Sequence, residues 1–128
     1  MGHAYHVWFS TKGRKNGFES ELGEEMKRLM LDIAKDKGIH IVELELVADH
    51  AHLLLEVPDR RDLPRVMHQL KGASARFIFS KYPDLKLDMP TGSFWQKGYG
   101  RRWVPRDQLD AVCNYIRTQR DRPYRRAS

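Results

Sequence analysis

Two histidines separated by a single residue, in the run Asp49-His50-Ala51-His52, are the side chains best spaced for chemistry. On a β-strand, residues two apart project from the same face about 7 Å apart, so the two imidazoles stand side by side. Such a pair can converge on one divalent ion, or stand half-exposed with no ligand at all. A third donor decides between these readings. Residues 107–120 offer one, because Leu109, Val112, Cys113 and Ile116 form a single apolar stripe at helical spacing. Tyr115 and Gln119 are four apart, hence neighbours at one border of that stripe. The same pattern also fits a boundary aromatic and a solvated polar residue. If the stripe packs on the open face of a sheet, however, a hydroxyl and an amide arrive beside the histidines. Two imidazoles and an amide oxygen can hold an ion that polarises a phosphodiester oxygen, and a tyrosine oxygen is then a competent nucleophile.

The charge distribution suits a polyanionic partner. The 128 residues carry 23 Lys+Arg and 17 Asp+Glu, a net charge of +6. Residues 95–128 alone hold nine basic and three acidic side chains, so the whole excess sits in the last quarter. Eight of those nine are arginines, whose planar fork suits phosphate, and Trp95, Tyr99 and Trp103 are interleaved with them. A solvated basic tail is the plainer alternative. Hydrophobic residues at 41% and charged residues at 31% describe an ordinary folded chain, not a disordered one. One domain over residues 1–128 is expected from this length. No apolar run approaches the ~20 residues that span a bilayer, and residues 1–20 lack a secretory signal pattern. Cys113, the lone cysteine, excludes an internal disulfide and a multi-cysteine metal site. A cytoplasmic location without membrane partners is the expectation.

The elements that must position these groups follow from periodicity. Residues 3–10 (HAYHVWFS) read as a strand ended by the polar, glycine-containing stretch 12–17. Leu22, Met26, Leu29, Met30, Ile33 and Ala34 mark a helix over 20–37 that Gly38 stops. Residues 39–48 and 51–57 read as two strands of a hairpin joined at Asp49. Within it Val42, Leu44, Leu46 and Ala48, with Ala51, Leu53, Leu55 and Val57, face a helix-covered core. Glu43, Glu45, His50 and His52 take the other face. Glu45 falls opposite His52 if the turn is tight, as a partner of that imidazole or simply as a surface glutamate. A second helix begins near Asp62 as its cap, with Pro64 in the first turn, and stops before Pro83. One more strand is expected within 93–104, and a last helix over 107–120. The order strand, helix, strand, strand, helix, strand, helix predicts an α+β fold. Its form is a ferredoxin-like (RNA-recognition-like) split βαβ, an antiparallel sheet with two helices on one face plus a C-terminal tyrosine-bearing helix. His6 and His68 have no ligand spacing and read as ordinary strand and helix residues.

Five stretches, in order, resemble one family. Asp49-His50-Ala51-His52-Leu53-Leu54-Leu55 resembles the HUH motif of histidine, bulky hydrophobic, histidine. Leu70-Lys71-Gly72-Ala73-Ser74-Ala75-Arg76 resembles the LKG-x-SAR stretch that follows it. Phe94-Trp95 with Tyr99 is similar to the family's W…Y strand, and Tyr115 to Gln119 to its YI-x-x-Q helix. Tyr5 to Lys12 is similar to its opening YH…TK strand. The family is the small single-tyrosine HUH transposases of bacterial and archaeal insertion sequences. The resemblance spans nearly the whole chain, although Ala51 is smaller than the usual middle residue and 98–106 is more basic than expected.

That resemblance implies His50, His52 and Gln119 as ligands of Mg²⁺ or Mn²⁺, and Tyr115 as the nucleophile on single-stranded DNA. It implies a 5′-phosphotyrosine product, recognition of hairpins at element ends, and a homodimer. Tyr124 is a second candidate nucleophile but has no glutamine four residues on. Lys71, Arg76, Arg101, Arg102, Arg117 and Arg120 are candidate DNA contacts. Two rival functions stay open: a domesticated hairpin-processing nickase or replication-initiation relative, and a non-catalytic module that binds single strands on its sheet. The module would expose aromatics on central strands, whereas the hairpin shows His and Glu there.

Overall fold

The computed structural model describes residues 2–13, 17–89 and 92–119. Aromatic and β-branched residues extend β1 over His3–Ser10, and alternation gives it two different faces. A 3₁₀ turn at Gly17–Glu19 leads into α1, Glu21–Lys37. There the Ser20 side chain accepts from the Leu22 N–H, and Gly38, in the left-handed region at φ 70°, closes the helix. Strands β2 (His40–Val47) and β3 (His50–Val57) form the expected hairpin. Helix α2 spans Leu63–Lys81 with Pro64 in its first turn. Its entrance is capped differently from expectation. Asp59 accepts from the Arg61 N–H while the Asp62 carboxylate accepts from the Asp59 N–H, so Asp62 serves the turn before the helix. A one-turn helix, α3 (Leu85–Asp88), was not foreseen. Strand β4 covers Gly100–Val104 and helix α4 covers Leu109–Arg117.

The sheet is antiparallel in the order β2-β3-β1-β4, so the first and third strands are central. This is the split βαβ architecture read from the sequence. Tyr5, Val7 and Phe9 join Leu44, Leu46, Ala51, Leu53, Leu55 and Val57 on one face, against Met26, Met30, Met67 and Leu70 of the two long helices. The opposite face carries a smaller cluster in which Val112 and Ile116 of α4 rest on Ala4, Leu54 and Val104. Leu109 and Cys113 flank it, completing the predicted stripe. Burying Val112 and Ile116 fully contributes roughly 1.5–3 kcal/mol each, enough to hold a nine-residue helix on the sheet.

Three boundaries differ from the periodicity reading. The strand placed within 93–104 begins only at Gly100, because Gly98 turns the chain at φ 78°, and Trp95 keeps a single bridge to Thr11. A bulge between Ile41 and Glu43 leaves Val42 out of register and 38% exposed. The last helix starts later than 107, after a 3₁₀ turn at Arg106–Gln108. Arg120 and Tyr124 lie outside the described residues. Among the described residues, no helix is long and apolar enough to cross a membrane.

Candidate active site

Strand register places the histidines. His52 stands directly between Glu45 of β2 and Trp8 of β1, and Trp8 in turn faces Gly100 of β4. One row therefore runs across the whole sheet: Glu45, His52, Trp8, Gly100. His50 lies in the next row, between Val47 and Ser10. On the other side, His6 sits between Leu54 and Arg102. All of these share the face onto which α4 folds.

The imidazoles form a connected set. His50 and His52 have ring centroids 4.8 Å apart. His50 Nδ1 is 3.2 Å from Asp49 Oδ1, a carboxylate contact that fixes the ring and leaves Nε2 directed away from it. His52 Nδ1 is 3.2 Å from Nε2 of His6, which is only 5% exposed. Burial, reinforced by the neighbouring His50 and His6, pushes His52 down to about 3. Burial, with Arg102 nearby, pushes His6 down to about 4. Both rings are consequently neutral at pH 7, the form that ligates metal. Glu45, opposite His52, is buried and 3.3 Å from Lys27 Nζ, so the glutamate is no simple surface residue.

Helix α4 brings the tyrosine. The Tyr115 ring lies edge-on to His6, 6.0 Å between centroids, and is 42% exposed. Arg117 donates to Glu43 at 3.1 Å, tying α4 to β2. Gln119 stands one turn beyond Tyr115, and its amide nitrogen donates to the Tyr115 carbonyl at 3.1 Å. No group of three His, Cys, Asp or Glu converges among the described residues. A cation at the histidine pair would therefore draw further donors of another type. Two imidazoles plus an amide oxygen form a donor set that a divalent metal accepts.

The other candidates are dispersed. Lys71 and Arg76 lie on α2, across the sheet from the histidines, along a groove of about 910 Å³ between α2 and residues 92–99. His6, His50, His52 and Tyr115 are not among the residues that line that groove, although His68 is. Lys71 Nζ donates to the carbonyls of Gln96 and Gly98, at 2.8 and 2.6 Å, and so staples that segment to the helix. Arg101 and Arg102 are both exposed on β4, but only Arg102 is in register with His6. His6 is the residue that pattern reading missed. Its signal was phase: it alternates with Tyr5, Val7 and Phe9, and so had to share the face of His52 in an antiparallel sheet.

A family model described as "Transposase IS200 like" matches residues 1–119. The chain belongs to the IS200-like transposase family. Within it, the chain is 32% identical over 118 residues to the ISDra2 transposase TnpA of Deinococcus radiodurans, covering 92% of this chain and 84% of that protein. It is 33% identical over 95 residues to the transposase for insertion sequence element IS200 of Salmonella typhimurium, covering 74% of this chain and 62% of that one. A Deinococcus radiodurans R1 protein, solved by crystallography at 1.90 Å, superposes with a TM-score of 0.73 at 32% identity, over 94% of this chain and 92% of its own. A REP-associated tyrosine transposase bound to a REP hairpin shares the fold, with a TM-score of 0.65 at 11% identity over 91% and 66% of the two chains.

Proposed function

We propose that this family member cleaves and rejoins single-stranded DNA through Tyr115, in a reaction that depends on Mg²⁺ or Mn²⁺. The observation that carries this reading is the docking of α4: its apolar stripe seats Tyr115 on the very sheet face that bears His50 and His52. The Tyr115 oxygen forms a bond to the scissile phosphorus as the bond from phosphorus to the 3′-oxygen breaks. The phenol gives up its proton, the departing 3′-oxygen gains one, and the products are a 5′-phosphotyrosine and a free 3′-hydroxyl. Attack by a second 3′-hydroxyl reverses the step and exchanges strands without ATP, since the bond energy is kept in the phosphodiester.

When bound, the divalent ion supplies Lewis-acid polarisation of a phosphodiester oxygen, and His50, His52 and Gln119 are the residues that would hold it. Asp49 orients His50, and His6 orients His52. The substrate in this reading is single-stranded DNA marked by hairpins, which accords with the hairpin held by the REP-associated neighbour. The protein works as a homodimer, and Arg101, Arg102, Arg117 and Arg120 carry phosphates. Incubating the chain with labelled single-stranded DNA containing the flanking hairpin tests the reading. Nicking with Mn²⁺ that EDTA abolishes is expected; nicking that persists in EDTA overturns the metal dependence.

A further inference from the structure

Trp8 occupies an unusual place for a large apolar side chain. It sits on a central strand, on the face opposite the main core, yet it is 39% exposed. Its strand neighbour on one side is His52, about one strand spacing of 4.8 Å away. On the other side is Gly100, which gives it room. A Cβ placed on Gly100 would collide with the indole at Cε2, Nε1 and Cζ2. Gly100 does not have a positive φ, so its backbone does not require glycine. The missing side chain instead lets the indole lie down on β4. His6 abuts the indole at 5.0 Å between centroids, tilted by 53°. Arg102 projects from the same face of β4, two residues on and exposed.

A flat, anchored aromatic beside a guanidinium matches the chemistry of an unpaired nucleotide: a π-face for the base and a cation for its phosphate. We propose that Trp8, seated on Gly100 and flanked by Arg102, is a stacking platform for one unpaired nucleobase next to the phosphate held at His50 and His52. This rests on the cleavage reading above and adds to it a subsite for the neighbouring nucleotide. Stacking tolerates every base, so the subsite holds the strand in position and does not read its sequence.

The test uses the full chain with Trp103→Phe, which leaves Trp8 and the buried Trp95 as the emitting indoles. Titration with a twelve-residue oligothymidylate should quench Trp8 emission. Trp8→Ala should weaken binding on the order of tenfold, Trp8→Phe by less, and Gly100→Ala in the same direction by lifting the indole off its seat. Thermal melting of each variant and Mn²⁺ titration calorimetry should show the fold and the histidine pair retained. Unquenched emission with Trp8→Ala affinity within twofold of its parent overturns the subsite alone. Loss of a dimer in Trp8→Ala by sedimentation velocity, with unchanged DNA affinity, also overturns it and assigns the indole to a contact between copies. Failure of the unsubstituted chain to bind any single strand overturns the cleavage reading and the subsite together.

Discussion

His6 on β1 and His52 on β3 meet across the sheet with Nε2 and Nδ1 3.2 Å apart. Burial keeps both rings neutral at pH 7, so a single N–H bridges the two nitrogens. If His52 donates from Nδ1, its Nε2 lone pair is available to a metal. If His6 donates instead, the proton of His52 moves to Nε2 and closes that position. In the metal site proposed above, His6 would thus select between a ligating and a non-ligating tautomer of His52.

Removing that acceptor should weaken metal binding. His6→Ala is expected to lower Mn²⁺ affinity by about 10–100-fold in calorimetry. His6→Gln, whose amide oxygen can accept from Nδ1, should restore part of it. Equal affinities for all three chains would show that His6 does no more than fill space.

The same two rings predict how stability depends on pH. Their folded values, about 4 for His6 and about 3 for His52, lie below the unfolded value near 6.5. Between pH 6.5 and about 4 the unfolded chain takes up protons that the folded chain refuses, so stability falls as the solution is acidified. Urea denaturation without metal should show a loss from pH 7 to pH 5 of about 2 kcal/mol per ring at most. His6→Gln should flatten part of that slope. A parent chain equally stable at both pH values would contradict the burial argument.

Docking of α4 should be separable from the histidine pair. Ile116 is completely buried against Leu54 and Val104, so Ile116→Ala should cost roughly 2–5 kcal/mol of the helix's hold on the sheet. The Arg117–Glu43 pair, exposed on the arginine side, adds at most about 1 kcal/mol and does not compensate. Strand cleavage should drop steeply, and Mn²⁺ affinity should fall only by the share that Gln119 contributes, with His50 and His52 still detected by titration. Cleavage at the parental rate would mean that α4 acts from some other position.

Phosphate contacts should make DNA affinity depend on salt. For single strands each contact contributes a slope of about 0.7 in log affinity against log salt. Arg102→Ala should shallow the slope by one such step, whereas Arg76→Ala, across the sheet, should leave cleavage-strand affinity nearly unaltered. A slope indifferent to Arg102 would remove β4 from the DNA path.

Much of this arrangement was legible because the governing patterns are local. The spacing of His50 and His52 fixed their common face, and the stripe from Leu109 to Ile116 marked an amphipathic helix, although its docking on that face was only one of the places open to it. What stayed hidden depends on pairing between distant strands. His6 looks isolated until β1 is laid against β3, and Trp8 looks like core until β4 presents Gly100 to it. The delayed start of β4 has a similar origin. Aromatic residues 94 and 95 favour a strand, but Phe94 and Trp95 are spent in the main core against Phe9 and Phe18, and Gly98 turns the chain before pairing resumes. Asp62 does stand at the N-cap position of α2, as expected, but its carboxylate accepts from Asp59 N–H in the preceding 3₁₀ turn instead of capping the helix, a choice that only the turn between the two aspartates decides.

The central claim is that Tyr115 is the nucleophile, and a covalent-adduct assay tests it most directly. The chain is incubated with 5′- and 3′-labelled single-stranded DNA bearing the flanking hairpin and Mn²⁺, then denatured and resolved by electrophoresis. The account predicts a protein–DNA adduct carrying only the label 3′ of the cut, present in the parent, missing in Tyr115→Phe, with hairpin binding retained. An adduct of undiminished yield in Tyr115→Phe would contradict it.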